Sequence, residues 1–308
     1  MHSLTNNLKL SVVVSCYKQE AYIADCLNRI LNQAVNFDYE IIVADDYSPD
    51  KTREVINQFH EKHPTVIKLL YQDKNLGPAK NYLAVHNLAQ GKYVAHFDGD
   101  DVMLPGKLQA QVDIMESHED CHVVFHKARY FSDDRKYESE TGSLFREGEV
   151  VYFSANELAR WGTIAVHSSY MYRRSSRKTR EYKEDFMEWF FAFESVYQGG
   201  YCAYINKVMT EYRCNPKGAA YLSSKAGREK AYLIIIKHVM DFYNALPEYR
   251  TDLYAQQLLN ILMYAKNIKK IKINMLTFLL SNLFNFRLQK VVQTIKVRKM
   301  VGPKKKIR

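Results

Sequence analysis

Cysteine is scarce: five residues, Cys16, Cys26, Cys121, Cys202 and Cys214, odd in number and widely spaced, with no Cys-x-x-Cys pair. That argues against a disulfide framework or a zinc cluster and fits a reducing compartment. The stretch Met1 to Leu10 has no charged region leading into an apolar core, so no secretory signal is expected. Long hydrophobic runs are also missing, none reaching the roughly 18 residues of a membrane span. Together these absences predict a cytoplasmic protein. Negative charge ends early. The last acidic residue is Asp252, and Leu253 to Arg308 holds 13 Lys and Arg with no Asp or Glu. The net charge of +10 therefore belongs to the tail, because the first 252 residues carry 31 basic against 34 acidic side chains, a net of −3. No nucleic-acid-binding motif accompanies this charge, and no nucleic-acid partner is expected.

What is present is an ordinary globular composition, 47% hydrophobic and 25% charged over 308 residues, enough for one large or two modest domains. The stretch Lys92 to Asp101 organises the rest. Tyr93 to Phe97 reads as a buried strand that runs into Asp98, Gly99, Asp100 and Asp101, three carboxylates in four positions. Such charge density is costly unless a cation neutralises it, which points to Mn²⁺ or Mg²⁺ at the carboxyl end of the strand. A solvated turn is the plainer alternative. Leu10 to Val14, Tyr39 to Ala44 and Thr65 to Tyr71 read as further strands. Between them lie helices over 21–31, from a Ser48 cap to Lys62, and from Pro78 to about Gln90. Strands alternating with helices of about 10 to 15 residues predict an α/β fold, a doubly wound, mostly parallel sheet with flanking helices. In such a sheet the strand ends share one edge, where Ser15 and Tyr17, Asp45 and Asp46, Asp73 to Lys80, and Asp98 to Asp101 would converge.

Four stretches, Ser11-Val-Val-Val-Ser-Cys-Tyr17, Glu40-Ile-Ile-Val-Ala-Asp-Asp46-Tyr-Ser48, Asn75-Leu-Gly77 with Lys80-Asn81, and Asp98-Gly-Asp100-Asp101, resemble the successive motifs of family 2 glycosyltransferases of the bacterial surface-polysaccharide type. These have the GT-A fold, and the resemblance covers residues 9–215. It implies an inverting, metal-dependent hexosyltransferase. The expected donor is a nucleoside diphosphate sugar, a UDP-sugar first of all, and the acceptor a glycan or lipid-linked molecule in polysaccharide biosynthesis. By position, Tyr17 would stack on the base, Ser15 would line the nucleotide pocket, and Asp46 would accept a hydrogen bond from base or ribose. Lys80 would meet the phosphates, Asp98 the ribose or a metal-bound water, and Asp100 the metal, Mn²⁺ or Mg²⁺. The chain departs from the family in reading Ser15-Cys16-Tyr17-Lys18 for Pro-Thr-Tyr-Asn, Tyr47 for the Gly after Asp46, and Lys80 for Arg. A polyprenyl-phosphate sugar synthase shares the early motifs and is the rival enzyme, and a non-catalytic sugar-nucleotide-binding protein is the rival outside enzymes. No Gly-rich loop with Arg follows Val14, against a nucleotidyltransferase, and no Gln-x-x-Arg-Trp occurs, against a processive synthase.

The second half should hold the acceptor site. A helix to about Ser117 precedes a strand over His122 to Tyr130, a charged loop or hairpin over Ser132 to Gly148, and a short helix capped by Ser154. His167 to Tyr172 reads as a strand that, by the resemblance, faces the acceptor; His167 is a candidate contact there, or a structural histidine. Inverting displacement needs a base for the acceptor hydroxyl. Glu184-Asp185, opening a helix over Phe186 to Tyr197, matches the acidic pair of the family, which makes Asp185 the expected base and Glu184 a neighbouring contact. The alternative is a pair that merely favours a helix N-terminus. Trp189 reads as core, or as a sugar-stacking side chain. Glu211-Tyr-Arg213 resembles the Tyr-Arg segment of the family, with Cys214 where His is usual, and Arg213 and Lys217 would steady the diphosphate.

Residues 1–225 are thus expected to form the catalytic domain, with a nucleotide-sugar half over 1–104 and an acceptor half over 105–225. Residues 226–308 form a helical, basic region. Its last part mixes Met275-Leu-Thr-Phe-Leu-Leu280 and Leu283-Phe284 with clustered Lys and Arg. That pattern suits contact with an anionic membrane through 266–308, peripheral on the inner face of the cell membrane. Alternatively these helices pack on the catalytic domain and only Lys304 to Arg308 is a solvated tail.

Overall fold

Runs of β-branched residues build the centre of the sheet. In the computed structural model, which describes residues 8–141, 148–177, 185–214, 225–301 and the backbone of 303–307, these runs are β1 (Leu10–Cys16), β2 (Tyr39–Asp45), β3 (Ile67–Tyr71) and β4 (Tyr93–Asp98). They lie parallel in the order β3-β2-β1-β4, joined by α1 (Ile23–Leu31), α2 (Thr52–Lys62) and α3 (Pro78–Leu88). Helices on both faces bury both sides of the strands, as a parallel sheet requires. Val12 and Val14 enter one core with Ile23 and Leu27 of α1, and Val13 enters the other with Tyr82 and Val85 of α3. Register sets Ser15 beside Ala44 on one side and Asp98 on the other, at the carboxyl edge.

The chain continues through β5 (Val102–Met103), α4 (Lys107–Ser117), β6 (Cys121–Phe131), β7 (Tyr137–Thr141), β8 (Val150–Ser154) and α5 (Ala155–Trp161). After β9 (Met171–Arg173), α6 (Glu188–Val196) and β10 (Tyr201–Arg213) come α7 (Lys225–Ala245), α8 (Arg250–Ile268), α9 (Ile273–Ser281), α10 (Leu288–Val301) and β11 (Pro303–Ile307). β9 lies antiparallel between β4 and β6, extending the sheet to β7 and β11. β10 runs parallel to β6 and antiparallel to β5 and β8. Its 13 residues carry the chain past the end of β4, so Arg213 arrives beside Asp100 and Asp101.

Several local expectations are corrected. Ser48 does not cap α2; its hydroxyl bonds the Asp45 carboxylate. The N–H and hydroxyl of Thr52 reach Asp50 Oδ1 at 3.2 and 2.6 Å instead. His167 sits on a 3₁₀ turn, His167–Ser169, and the strand starts only at Met171. The final residues are not a solvated tail: Pro303–Ile307 covers the otherwise open edge of β7. The inner faces of the C-terminal helices dock on α5. Asp252, 1% exposed, accepts from Asn156 (3.1 Å), Arg160 (2.9 Å) and Lys290 (2.7 Å), so its buried charge is paired on every side. Arg298 donates to the Trp161 carbonyl at 3.0 Å and to Asn260 Oδ1 at 3.0 Å. Among the described residues no helix is long and apolar enough to cross a membrane.

The turn into β4 depends on Gly91, whose N–H bonds Ser11 Oγ at 2.8 Å. A Cβ there would lie 2.5 Å from the Ser11 nitrogen and 2.6 Å from the Leu10 carbonyl carbon, both backbone atoms that cannot step aside. Gly91→Ala should therefore lower unfolding stability by about 1 to 3 kcal/mol, read as a reduced urea midpoint at unchanged m-value.

Candidate active site

The carboxyl ends of β1, β2 and β4 open into one cleft of about 370 Å³. The structure brings Ser15, Tyr17, Asp46, Asp98, Asp100, His167 and Arg213 to its walls. Ser15 Oγ is buried there with no hydrogen-bond partner among the described residues. The Asp46 carboxylate accepts the Leu76 N–H at 2.6 Å and the Gly77 N–H at 2.9 Å, so it also ties down the loop before α3. Burial raises its pKa against the pull of those two bonds.

Three carboxylates crowd the end of β4. Burial, and then the charge of Asp98, push Asp100 up to about 6; Asp101 is raised well above the usual range by burial and by both neighbours. Arg213 offsets part of this charge. Its N–H meets Asp101 Oδ1 at 2.8 Å, its Nε meets the Asp100 carbonyl at 2.7 Å, and its guanidinium pairs with Asp133 and lies 4.2 Å from the Tyr22 ring centre. The oxygen donors of Asp98 and Asp100, under-compensated and facing the cleft, fit a hard dication such as Mn²⁺ or Mg²⁺. Gly99 serves packing here: a Cβ would fall 2.4 Å from Gln19 Oε1 and 2.9 Å from Ile23 Cδ1.

Other expected site residues lie elsewhere. Lys80 is exposed and off the cleft, because α3 turns its neighbour Asn81 inward to the Ala44 carbonyl (3.2 Å), and successive helical residues point about 100° apart. Trp189 is no sugar platform. It is 2% exposed, donates its indole N–H to the Leu158 carbonyl at 3.0 Å and stacks on Phe193 at 5.2 Å between ring centres. Asp185 stands one residue ahead of the cleft wall formed by Phe186, Met187 and Glu188, and its carboxylate pairs with Lys230 of α7. Glu184 and Lys217 lie outside the described residues.

The sequence profile of glycosyl transferase family 2 matches residues 11–180, more than half of the chain. The chain belongs to glycosyl transferase family 2. A glycosyltransferase of Methanocaldococcus jannaschii is 29% identical over 179 residues, 57% of this chain and 59% of its own length. The chain spans less than two thirds of the length of the curated relatives it matches first. Staphylococcus aureus TarS 1-349, solved with UDP-GlcNAc, superposes with a TM-score of 0.65 at 18% identity, over 96% of this chain and 84% of that one. The mannosyltransferase PcManGT of Pyrobaculum calidifontis, solved with GDP-Man and Mn²⁺, gives 0.55 at 15% identity, over 96% and 86%. The fold is therefore GT-A, with added C-terminal helices.

Two departures from the usual motifs of the family coincide with left-handed backbone. Lys18, at the Asn position, has φ 56°, and Tyr47, at the Gly position, has φ 62°. Asn and Gly adopt that region at lower cost than Lys and Tyr. Lys18→Asn should accordingly raise stability by about 0.5 to 1 kcal/mol in urea unfolding.

A buried histidine wire, unforeseen from the motifs, reaches Asp98. Arg177 can only donate, and its guanidinium lies 2.7 Å from His86 Nδ1, which Tyr172 Oη also contacts. His86 Nδ1 is therefore the acceptor, and burial, with Arg177 nearby, keeps that ring neutral by lowering its pKa well below the usual value. Its proton sits on Nε2 and points at His96 Nδ1, 3.0 Å away. His96 must then carry its own proton on Nε2, which it donates to Asp98 Oδ1 at 3.0 Å. Although His96, Asp98 and His167 place nitrogen and oxygen atoms within 4.8 Å of one another, this tautomer makes His96 a donor to Asp98 and not a metal ligand. The signal was in the sequence, since His96 and Asp98 share one face of β4 by strand alternation. His86→Phe should free the ring of His96 and, if the cleft takes the nucleotide proposed below, weaken its binding by about tenfold in titration calorimetry, the range found for partners that orient a binding group.

Glu188 was also missed. It lines the cleft with its carboxylate 3.7 Å from His167 Nδ1, and burial, together with Asp98, pushes its pKa up to about 7. His167, stacked on His96 at 3.7 Å, is held neutral by burial, and its Nε2 has no partner among the described residues.

Proposed function

We propose that this cleft binds a nucleoside diphosphate sugar, a UDP-sugar in the first instance, and transfers the sugar with inversion to a hydroxyl of a glycan or lipid-linked acceptor in polysaccharide synthesis. The observation that carries the reading is the convergence of a stacking ring, an unpartnered hydroxyl and two under-compensated carboxylates on one cleft, in a chain of this family. Tyr17 takes the base, Ser15 and Asp46 the nucleoside, Asp98 the ribose or a metal-bound water, and Arg213 the diphosphate. A dication, Mn²⁺ or Mg²⁺, would be held by Asp100 with Asp98 and would supply charge stabilisation for the departing diphosphate.

Two carboxylates, Glu188 in the cleft and Asp185 ahead of its wall, differ in position, and we assign them different roles. Asp185, ahead of the cleft wall, takes the proton of the acceptor hydroxyl, a role supported by its place in the acidic motif. Glu188, inside the cleft beside Asp98 and His167, accepts hydrogen bonds from the donor sugar hydroxyls. A second reading makes Glu188 the base, favoured by a pKa of about 7 that matches neutral operation. A chain with a basic, apolar tail acting on lipid-linked acceptors would work peripherally at the cytoplasmic face of the membrane.

The test is Mn²⁺-dependent release of nucleoside diphosphate from a panel of nucleotide sugars. One donor should turn over. Asp100→Ala should abolish release. Asp185→Asn should lower kcat by about 10²- to 10⁴-fold at unchanged donor KM, whereas Glu188→Gln should mainly raise donor KM. The opposite split assigns the base to Glu188. Turnover that survives both changes favours transfer to a phosphate acceptor, as in a polyprenyl-phosphate sugar synthase. Nucleotide binding without turnover of any donor or acceptor describes a non-catalytic sensor, and absence of nucleotide binding overturns the reading.

A further inference from the structure

α9 and α10 carry two apolar stripes each, and the fold uses only one. On α9, Met275 and Phe278 are buried, while Ile273, Leu276 and Leu280, spaced for a single helical face, point outward. On α10, Val291, Thr294 and Val297 face inward, and Leu288, Val292 and Ile295 form the exposed stripe. The turn Leu283–Asn285 joins the two helices and exposes Phe284. Exposure is extreme: 78% for Ile273, 73% for Leu280, 70% for Phe284 and 65% for Leu288. Twelve of the fifteen exposed large apolar side chains among the described residues fall between Leu262 and Ile295. Isolated exposed leucines are ordinary; a concentration of this kind marks a contact surface.

Charge identifies what covers it. Lys269, Lys270 and Lys272 are exposed ahead of α9, Arg287 between the helices, and Lys296 and Lys299 on α10. No carboxylate occurs anywhere from Leu253 to Arg308 to balance them. A second copy docked face to face would set these cations against one another. We propose that the outward face of α9 and α10 lies in the interface of an anionic lipid bilayer, with the apolar stripes among the acyl chains near the headgroups and the lysines on the lipid phosphates. The contact lies in the membrane plane, since neither helix can span a bilayer. It deepens the peripheral location proposed above, yet its evidence is independent of catalysis.

The experiment is flotation of the full chain with vesicles of phosphatidylcholine alone and of phosphatidylcholine mixed with phosphatidylglycerol. Wild type should float with the mixed vesicles only, and added salt should reduce the bound fraction. The variant Leu280→Ser/Phe284→Ser/Leu288→Ser, altered only at exposed positions, should lose about tenfold or more in partitioning. Its circular dichroism and its vesicle-free nucleotide-sugar turnover should match wild type. Equal flotation of the variant, or no flotation of wild type on anionic vesicles, overturns the proposal. A wild-type dimer that becomes monomeric in the variant by light scattering also overturns it and assigns the face to a second copy. Flotation by a chain inactive on every donor would sink the catalytic reading and leave this surface standing.

Discussion

The structure turns on the three carboxylates at the end of β4. Asp98, Asp100 and Asp101 emerge from a buried strand into a site where burial, and then the neighbouring carboxylates, raise the pKa of Asp100 and Asp101, so their charge has to be met from elsewhere. β10 is long enough to bring Arg213 beneath Asp100 and Asp101. The His96 ring donates a hydrogen bond to the Asp98 carboxylate at 3.0 Å, and Ser168 Oγ, on the turn after His167, accepts the Asp98 backbone N–H at 3.0 Å and so fixes the chain there. These partners approach from the second half of the chain or from within the sheet, which leaves the cleft side of Asp98 and Asp100 under-compensated. The same imbalance that costs stability is what would draw in a dication and a diphosphate.

The histidine wire bears on that balance. A carboxylate with one oxygen held by His96 has one less way to rotate. The direction of the wire is set three groups away by Arg177, whose guanidinium cannot accept a hydrogen bond. Preorganisation of this kind keeps a charged group aimed before its ligand arrives. The strained left-handed residues Lys18 and Tyr47, at the ends of β1 and β2, belong to the same edge of the sheet. Such strain is held in place by the sheet behind it, here the fully buried Val12, Val13 and Val14.

Much of this was legible before any coordinates. Apolar runs bounded by turn residues located the parallel strands, and strand topology then brought Ser15, Tyr17, Asp46, Asp98 and Asp100 to one edge. What failed depended on angular phase or on tertiary partners. Lys80 and Asn81 are adjacent in sequence yet face opposite surroundings, and the close spacing of Trp189, Phe190, Phe191 and Phe193 in α6 does not tell which rings are buried; all four are. Ser48 does not reach α2 because Asp45 claims its hydroxyl, and the Thr52 N–H finds Asp50 instead. β11 was invisible because Pro303 to Ile307 is a basic stretch whose strand pairing depends on a distant edge. The sequence of the tail fits either a membrane surface or packing on the catalytic domain. Its helices do pack, through Asp252 and Arg298, and their outward stripes remain uncovered.

The central claim is that the cleft at the end of β4 receives a nucleoside diphosphate through a cation held by Asp100. Crystals soaked with UDP and MnCl₂ and measured at a wavelength where manganese scatters anomalously test it in one step. The account predicts an anomalous peak bonded to the Asp100 carboxylate and to the diphosphate, with the uracil ring against Tyr17. A nucleotide bound outside this cleft, or manganese bound away from Asp100, would contradict it.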